Sequence, residues 1–275
     1  MDNDYNRIVD LYKLSGEHKT LLKVFYTNDY PIPFKELTLY PVKVSMLYLY
    51  TIFSECLKVP HLTSGDLKAL SMSYLKYIYY LATEKNQKEL FYQLERLLLM
   101  ILELDKTYID GNKQEQNTID FLLNTGEIRI KGVKYTSEDF DTIREIILNQ
   151  NGEDLPDETI NPEVLQAYKQ KQELELKSLN YKLCDLEDNI NILVCMTSYK
   201  RNEILNLTIR TFYKLLERSG LIMNYKILNL LSPNMEEKDR KKIVPYNADI
   251  GKSLKQKVRE SFSTLDDLQK KVGGT

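Results

Sequence analysis

Glu127-Ile128-Arg129-Ile130-Lys131-Gly132-Val133-Lys134-Tyr135, followed directly by Thr136-Ser137-Glu138-Asp139, is the stretch on which the fold turns. Apolar and polar side chains alternate on both sides of Lys131-Gly132, the period of a strand, and the glycine supplies the positive φ that a tight hairpin turn needs. Thr136 stands where a helix cap belongs, with Asp139 placed to complete a near capping box. Phe140, Ile143, Ile146 and Ile147 recur at helical spacing, and Asn151-Gly152 ends the run. Hairpin, cap, helix and stop agree with one another. The reading predicts a mainly α protein of helical bundle domains, with one small β-hairpin near residues 127–135.

Upstream, the segments are helical. Ile8, Leu11 and Leu14, or Val9 and Tyr12, are spaced for a helix that Ser15-Gly16 closes. Tyr30 to Pro41 is extended, because Pro31 and Pro33 cannot sit inside a helix and Leu37-Thr38-Leu39 alternates like a short strand. Val44, Leu47, Tyr48, Ile52 and Phe53 resume a helix, and Pro60-His61 and Ser64-Gly65 punctuate it. One helix is predicted from Leu67 to Ala82, with Asp66 as cap and Leu70, Tyr74, Tyr77, Ile78 and Leu81 on its apolar face. A second runs from Glu89 to Leu104 with Leu90, Leu94, Leu97, Leu98, Ile101 and Leu102 in an almost continuous stripe. So apolar a helix is either the core of a helical domain or an interface.

Downstream, Glu153 to Glu163 is acidic, carries two prolines and has no base, as a linker does. Val164 to Lys177 is polar and helix-forming. Asp185-Leu186-Glu187-Asp188 opens a helix through Ile190, Leu193 and Val194, its acids suited to the positive end of the helix dipole. Glu203 to Glu217 reads as an amphipathic helix using Leu207, Ile209, Phe212, Leu215 and Leu216, stopped at Gly220, with Tyr225 to Leu231 a further apolar element. Beyond Met235 the chain is polar, and Leu254, Val258, Phe262, Leu265 and Leu268 form a helical stripe too narrow to fold alone. That stripe is expected to pack on a partner or on the body of the protein. The domains expected are an N-terminal helical domain over 1–105, a hairpin–helix unit over 106–152, an acidic linker and connecting helix over 153–180, and a C-terminal helical domain with a polar tail over 181–275.

Composition narrows the function. The chain has 275 residues with 38 basic and 40 acidic side chains, a formal charge of −2, which removes the simplest argument for a bulk nucleic-acid or membrane-surface binder. Runs such as Leu97 to Leu102 are too short to span a bilayer, so no membrane insertion is expected. Met1 to Tyr5 is acidic and polar, unlike a signal peptide, and an intracellular product is the default. Cys56, Cys184 and Cys195 form no C-x-x-C pair; Cys184 and Cys195 flank an apolar stretch and read as core thiols. His18 and His61 are too far apart for a helical ligand pair, and neither lies in a nucleophile motif. Ser15-Gly16-Glu17-His18-Lys19-Thr20 ends like a phosphate loop but has His18 where the glycine before the lysine must stand. Asp185, Glu187 and Asp188 lack the glycine and terminal glutamate of a calcium loop. No catalytic residue, cofactor site or metal site emerges. Hydrolysis by paired carboxylates is the remaining enzymatic option, and it is unspecific. Tyr74-Leu75-Lys76-Tyr77-Ile78-Tyr79-Tyr80 and the lysines from Lys238 onward carry a nucleic-acid alternative, although Tyr74, Tyr77 and Ile78 share the inward face and acids interrupt the lysines.

Phe34-Lys35-Glu36-Leu37-Thr38-Leu39-Tyr40-Pro41-Val42-Lys43-Val44, with an apolar helix after it, is similar to the opening of tail and baseplate assembly proteins of tailed phages. Phe140 to Asn151, with Leu207-Thr208-Ile209-Arg210-Thr211-Phe212 downstream, resembles tail-region proteins from phages of low-GC hosts. The glycine-and-tryptophan ending of such proteins is missing, since the chain runs from Tyr225-Lys226-Ile227 into Ser232-Pro233-Asn234. The resemblance implies a non-enzymatic tail or baseplate component, or an assembly factor, in the virion or in the host cytoplasm during assembly. Its partners would be other tail or baseplate proteins in an oligomeric assembly. Leu37, Leu39, Tyr40, Phe262 and Leu265 are the candidate partner-binding residues. An anchor of that kind costs about 1–2 kcal/mol of binding when truncated to alanine.

Overall fold

A computed structural model describes residues 2–14, 19–61, 67–104, 119–156, 158, 162–178, 184–240 and 243. Two helices, α1 (Asp2–Leu14) and α2 (Lys19–Thr27), lead into a β-hairpin of β1 (Ile32–Phe34) and β2 (Leu37–Leu39). A 3₁₀ turn precedes α3 (Leu47–Ser54), and α4 (Leu67–Leu70), α5 (Tyr74–Thr83) and α6 (Glu89–Ile101) follow. An antiparallel meander of β3 (Ile119–Leu122), β4 (Glu127–Ile130) and β5 (Val133–Tyr135) runs into α7 (Ser137–Gln150). The remaining helices are α8 (Pro162–Ser178), α9 (Leu186–Met196), α10 (Arg201–Asn206), α11 (Ile209–Leu231) and α12 (Glu237–Arg240). The protein is mainly helical, with small antiparallel sheets.

The chain divides into two compact units, one of residues 1–155 and 199–214, the other of 156–198 and 215–275. The division falls at 155, a few residues after the boundary expected at 152, and none falls near 105. The hairpin and α7 belong with the preceding helices, because α5 packs on α7 and α7 also covers β4 and β5. Residues 199–214 return to the same unit, where Lys43 and Thr208 form a β-bridge.

In the first unit the core is built from α3 against α6, α6 against α5, and α5 against α7. Every apolar position expected on α6 is buried, so its stripe faces the core of its own unit. The hairpin between β4 and β5 turns at Lys131 and Gly132, both at positive φ. Thr136 Oγ1 accepts the Asp139 N–H and the Asp139 carboxylate accepts the Thr136 N–H, closing the capping box. The meander has a third strand, β3, joined to β4 by a turn in which Gly126 has φ +70. That positive φ is what calls for glycine there, and a side chain would also have to push the exposed Lys76 chain aside.

Two predicted helices are each interrupted at hydroxyl-bearing residues. Leu67 to Ala82 is α4 and α5, separated at Ser71-Met72-Ser73. Ser71 Oγ donates to the Lys68 carbonyl, and Ser73 is extended at ψ 162 before α5 begins. Serine competes for backbone partners in this way and so favours helix ends. Glu203 to Glu217 is likewise α10 and the start of α11. Leu207 is extended at ψ 155, and Thr208 Oγ1 accepts the Thr211 N–H at 3.2 Å as a cap. Asp66 and Ser15-Gly16 lie outside the described residues.

Gly220, predicted to stop a helix, lies inside α11, which continues through the Tyr225–Leu231 element. A Cβ at this position would meet nothing within 4 Å. Gly220→Ala is therefore expected to raise stability by roughly 0.5–1 kcal/mol, the helix-interior penalty of glycine. A urea midpoint at or below the wild-type value would show that the residue has a packing role.

The pairing of Lys35 Nζ with Asp139 Oδ1 at 2.6 Å ties the first hairpin to the start of α7. Burial raises the pKa of Asp139, but the Lys35 ion pair and the Thr136 hydrogen bonds outweigh it and hold the carboxyl below its usual range. A carboxyl lowered in the folded state adds stability above its unfolded pKa of about 3.9, and that stability is lost as the pH falls through the folded value. Asp139→Asn is therefore expected to flatten the acid side of the stability curve. Urea midpoints between pH 6 and pH 2 that fall in parallel for both proteins would contradict this (roughly the span of the linkage).

Candidate interaction surface

The 23-residue helix α11 is the candidate surface, and its first turn is fixed within the first unit. Asp29, held at φ 56 after α2, accepts hydrogen bonds from Thr208 Oγ1 at 2.7 Å and Thr211 Oγ1 at 2.8 Å. Val44 N–H donates to the Leu207 carbonyl and Ile209 N–H to the Val42 carbonyl, each at 2.9 Å. Arg210 Nη1 donates to the Asn149 carbonyl at 2.7 Å, and its guanidinium lies 5.3 Å from the centre of the Tyr26 ring. Burial and the Glu145 charge push the Tyr26 hydroxyl up to about 12, against the opposing pull of Asn149 and Arg210. Ile209 and Phe212 are buried. The arrangement is an anchor and carries no reactive group.

The later part of α11 belongs to the second unit and looks different. Met223, Ile227 and Leu230 follow at i, i+4 and i+7, so they share one helical face. All are exposed, Leu230 at 79%. Leu216 lies on the line of the same face and is half-buried, while Leu221, Tyr225 and Leu228, on another face at the same spacing, are half-buried too. Isolated exposed leucines are ordinary, whereas here three large apolar side chains line up on one helix face. Every residue of this stripe is visible in the sequence. Its exposure is not, because periodicity does not say which of two apolar faces is covered.

The predicted partner anchors are placed elsewhere. Leu37 and Leu39 lie in β2 with 3% and 0% of their surface exposed, inside the core of the first unit. They are corrected from interface to core residues. Tyr40 is half-buried, and its N–H donates to the Ile101 carbonyl at 2.8 Å. Phe262 and Leu265 lie outside the described residues.

The four tyrosines of α5 are buried, and the hydroxyls of three reach backbone carbonyls: Tyr74 to Cys56, Tyr77 to Pro60 and Tyr79 to Glu127, at 2.9, 2.9 and 2.7 Å. They offer no surface on which bases can stack. Lys238, expected to meet phosphates, pairs with Glu236 at 2.7 Å. His61 is buried, stacks on Tyr77 with ring centres 4.7 Å apart, and places Nε2 2.8 Å from the Ala69 carbonyl. Cys56 is a core thiol whose pKa is pushed up by burial despite nearby Arg144, the reverse of an activated nucleophile. Cys184 and Cys195, predicted as core thiols, are exposed: Cys184 precedes α9, and α9 turns Ile190 and Leu193 inward and leaves Cys195 on its outer side. A hollow of about 430 Å³ beside the β3–β4 turn is lined in part by Phe121, Leu123, Arg129 and Lys134. Its cations are already answered, Arg129 by Asp120 at 3.6 Å and Lys134 by Glu127 at 3.1 Å. Among the described residues no cluster of three or more His, Cys, Asp or Glu side chains is arranged to hold a metal ion. No described helix is long and apolar enough to cross a membrane.

Compared with protein-family models, with curated proteins and with solved structures, the chain matches none.

Proposed function

We propose that the protein is a non-enzymatic tail or baseplate component of a tailed phage, or an assembly factor for one, acting through protein–protein contacts. The observation that carries the reading is the exposed Met223–Ile227–Leu230 face of α11. Helix-in-groove docking uses side chains at this spacing as anchors, and fully burying each contributes roughly 1.5–3 kcal/mol before the cost of association. The tail context rests on the resemblance of residues 34–44, 140–151 and 207–212 to proteins of that kind. With Leu37 and Leu39 in the core, α11 takes over the role of partner surface. The setting is the virion, or the host cytoplasm during assembly.

Quantitative mass spectrometry of purified particles and of the producing cells tests this. A fixed ratio to a tail protein in particles makes the chain a structural subunit. Absence from particles together with a complex with a tail subunit in the cell makes it an assembly factor. Absence from both overturns the reading.

A further inference from the structure

We infer that the hollow beside the β3–β4 turn is a second docking surface, fitted to an acidic peptide segment of a partner protein. It belongs to the first unit and does not involve the exposed face of α11. Strand register decides its chemistry. Asp120, Arg129 and Lys134 stand side by side across the meander, because Arg129 is paired with Asp120 on β3 and with Lys134 on β5. The alternate residues Ile128, Ile130 and Tyr135 are buried, and α7 packs on β4 and β5, so the row of charges lies on the open face. Two cations directly opposite each other on neighbouring strands repel, and such a pair costs stability. Each turns instead to a carboxylate, Arg129 Nη1 to Asp120 at 3.6 Å and Lys134 Nζ to Glu127 at 3.1 Å. All four side chains remain between 27% and 55% exposed, and single pairs at such exposure contribute little. A carboxylate from outside can take the place of either.

Charge selects the partner. Lys76, whose side chain lies over Gly126, and Lys131, in the β4–β5 turn, are both exposed. With Arg129 and Lys134 they set four cations against two acids, Asp120 and Glu127, on the meander and its rim. The hydrogen bonds of Lys134 and Thr125, joined by the charge of Lys76, hold the Glu127 carboxyl below its usual range. The same surroundings favour an incoming carboxylate. Phe121, Leu122 and Leu123 supply an apolar wall, Leu123 being 47% exposed, next to the polar Asn124 and Thr125. Aliphatic residues placed among the acids of a peptide would lie against that wall. A nucleic acid fits less well, because the Phe121 ring is already stacked on Phe91, with centres 5.2 Å apart, and offers no free platform for a base.

Fluorescence anisotropy of a short labelled peptide alternating glutamate and leucine tests the inference on the full-length chain. The wild type is expected to bind it, and to bind the matching lysine–leucine peptide roughly tenfold more weakly or worse. Arg129→Gln/Lys134→Gln, shown to be folded by circular dichroism, is expected to lose roughly tenfold in affinity, the size of one charge-assisted hydrogen bond. Asp120→Asn frees Arg129 and is expected to tighten binding about threefold, a gain that a merely structural role for Arg129 would not produce. Affinity that ignores both variants overturns the inference, as does equal binding of the two peptides or binding of neither. A labelled oligothymidylate that binds more tightly than the acidic peptide, and is lost in Arg129→Gln/Lys134→Gln, overturns it in favour of nucleic acid. The titration uses no phage subunit and leaves α11 intact, so failure of the proposed function in the particle census is read separately.

Discussion

Leu39→Ala is expected to lower the free energy of unfolding by about 2–5 kcal/mol, the range for removing a fully buried leucine. Leu39 is completely buried opposite Ile32 in the first hairpin, and its carbonyl accepts Gln150 Nε2 at 3.0 Å. Gln150 also reaches the Tyr30 carbonyl, and Asn151 Oδ1 accepts the Val42 N–H at 2.9 Å. The hairpin is thus held from behind by the end of α7, which limits how far the site can collapse onto the lost volume. Such sites fall in the upper part of the range. Urea denaturation at neutral pH measures the effect. Partner affinity, taken under conditions where the variant remains folded, is expected to be unchanged. A loss of affinity with wild-type stability would return Leu39 to the interface.

Phe212→Ala is expected to cost about 3–5 kcal/mol, and to do so by loosening the return of residues 199–214. Phe212 is fully buried, and its N–H bonds the Thr208 carbonyl at 2.9 Å in the turn that Asp29 clamps. Once the ring is removed, the first turn of α11 is held by buried Ile209 and by hydrogen bonds, those of Asp29 to Thr208 and Thr211 among them. Hydrogen bonds of this kind contribute roughly 1–3 kcal/mol each when one partner is charged. Exchange of the 201–214 amides is therefore expected to accelerate more than exchange in α6. Equal acceleration throughout the first unit would show that this segment unfolds only with the rest.

What was legible in the sequence was local. The 127–151 unit reads correctly because every signal in it concerns neighbours: the Lys131-Gly132 turn, the Thr136–Asp139 box and the Asn151-Gly152 stop. The start of α9 at Asp185–Asp188 is of the same kind, although its acids read as partners of the helix dipole and in the structure also close a capping box. The breaks at Ser71–Ser73 and Leu207-Thr208 were hidden because apolar periodicity runs straight through both. Only Asp29, 179 positions before Thr208, makes sense of the second. Asn151 reads as a helix stop, yet it also serves as a brace for Val42, 109 positions away. β3 escaped notice because Leu122-Leu123 breaks the alternation that marked β4. The α5 tyrosines carried two readings, base stacking and core packing, and burial decided between them.

The exposed face of α11 is where the account is most directly open to test. The complex formed with a tail or baseplate subunit from producing cells is to be compared for the wild type and for Met223→Asp/Ile227→Asp. These side chains are exposed, so the variant is expected to keep the wild-type circular dichroism and urea midpoint. The wild type is expected to hold the subunit and to cross-link to it through Lys226, beside the stripe, while the variant loses the complex by tenfold or more. A folded variant that binds the same tail subunit as tightly as the wild type would contradict the assignment of α11 as the partner surface.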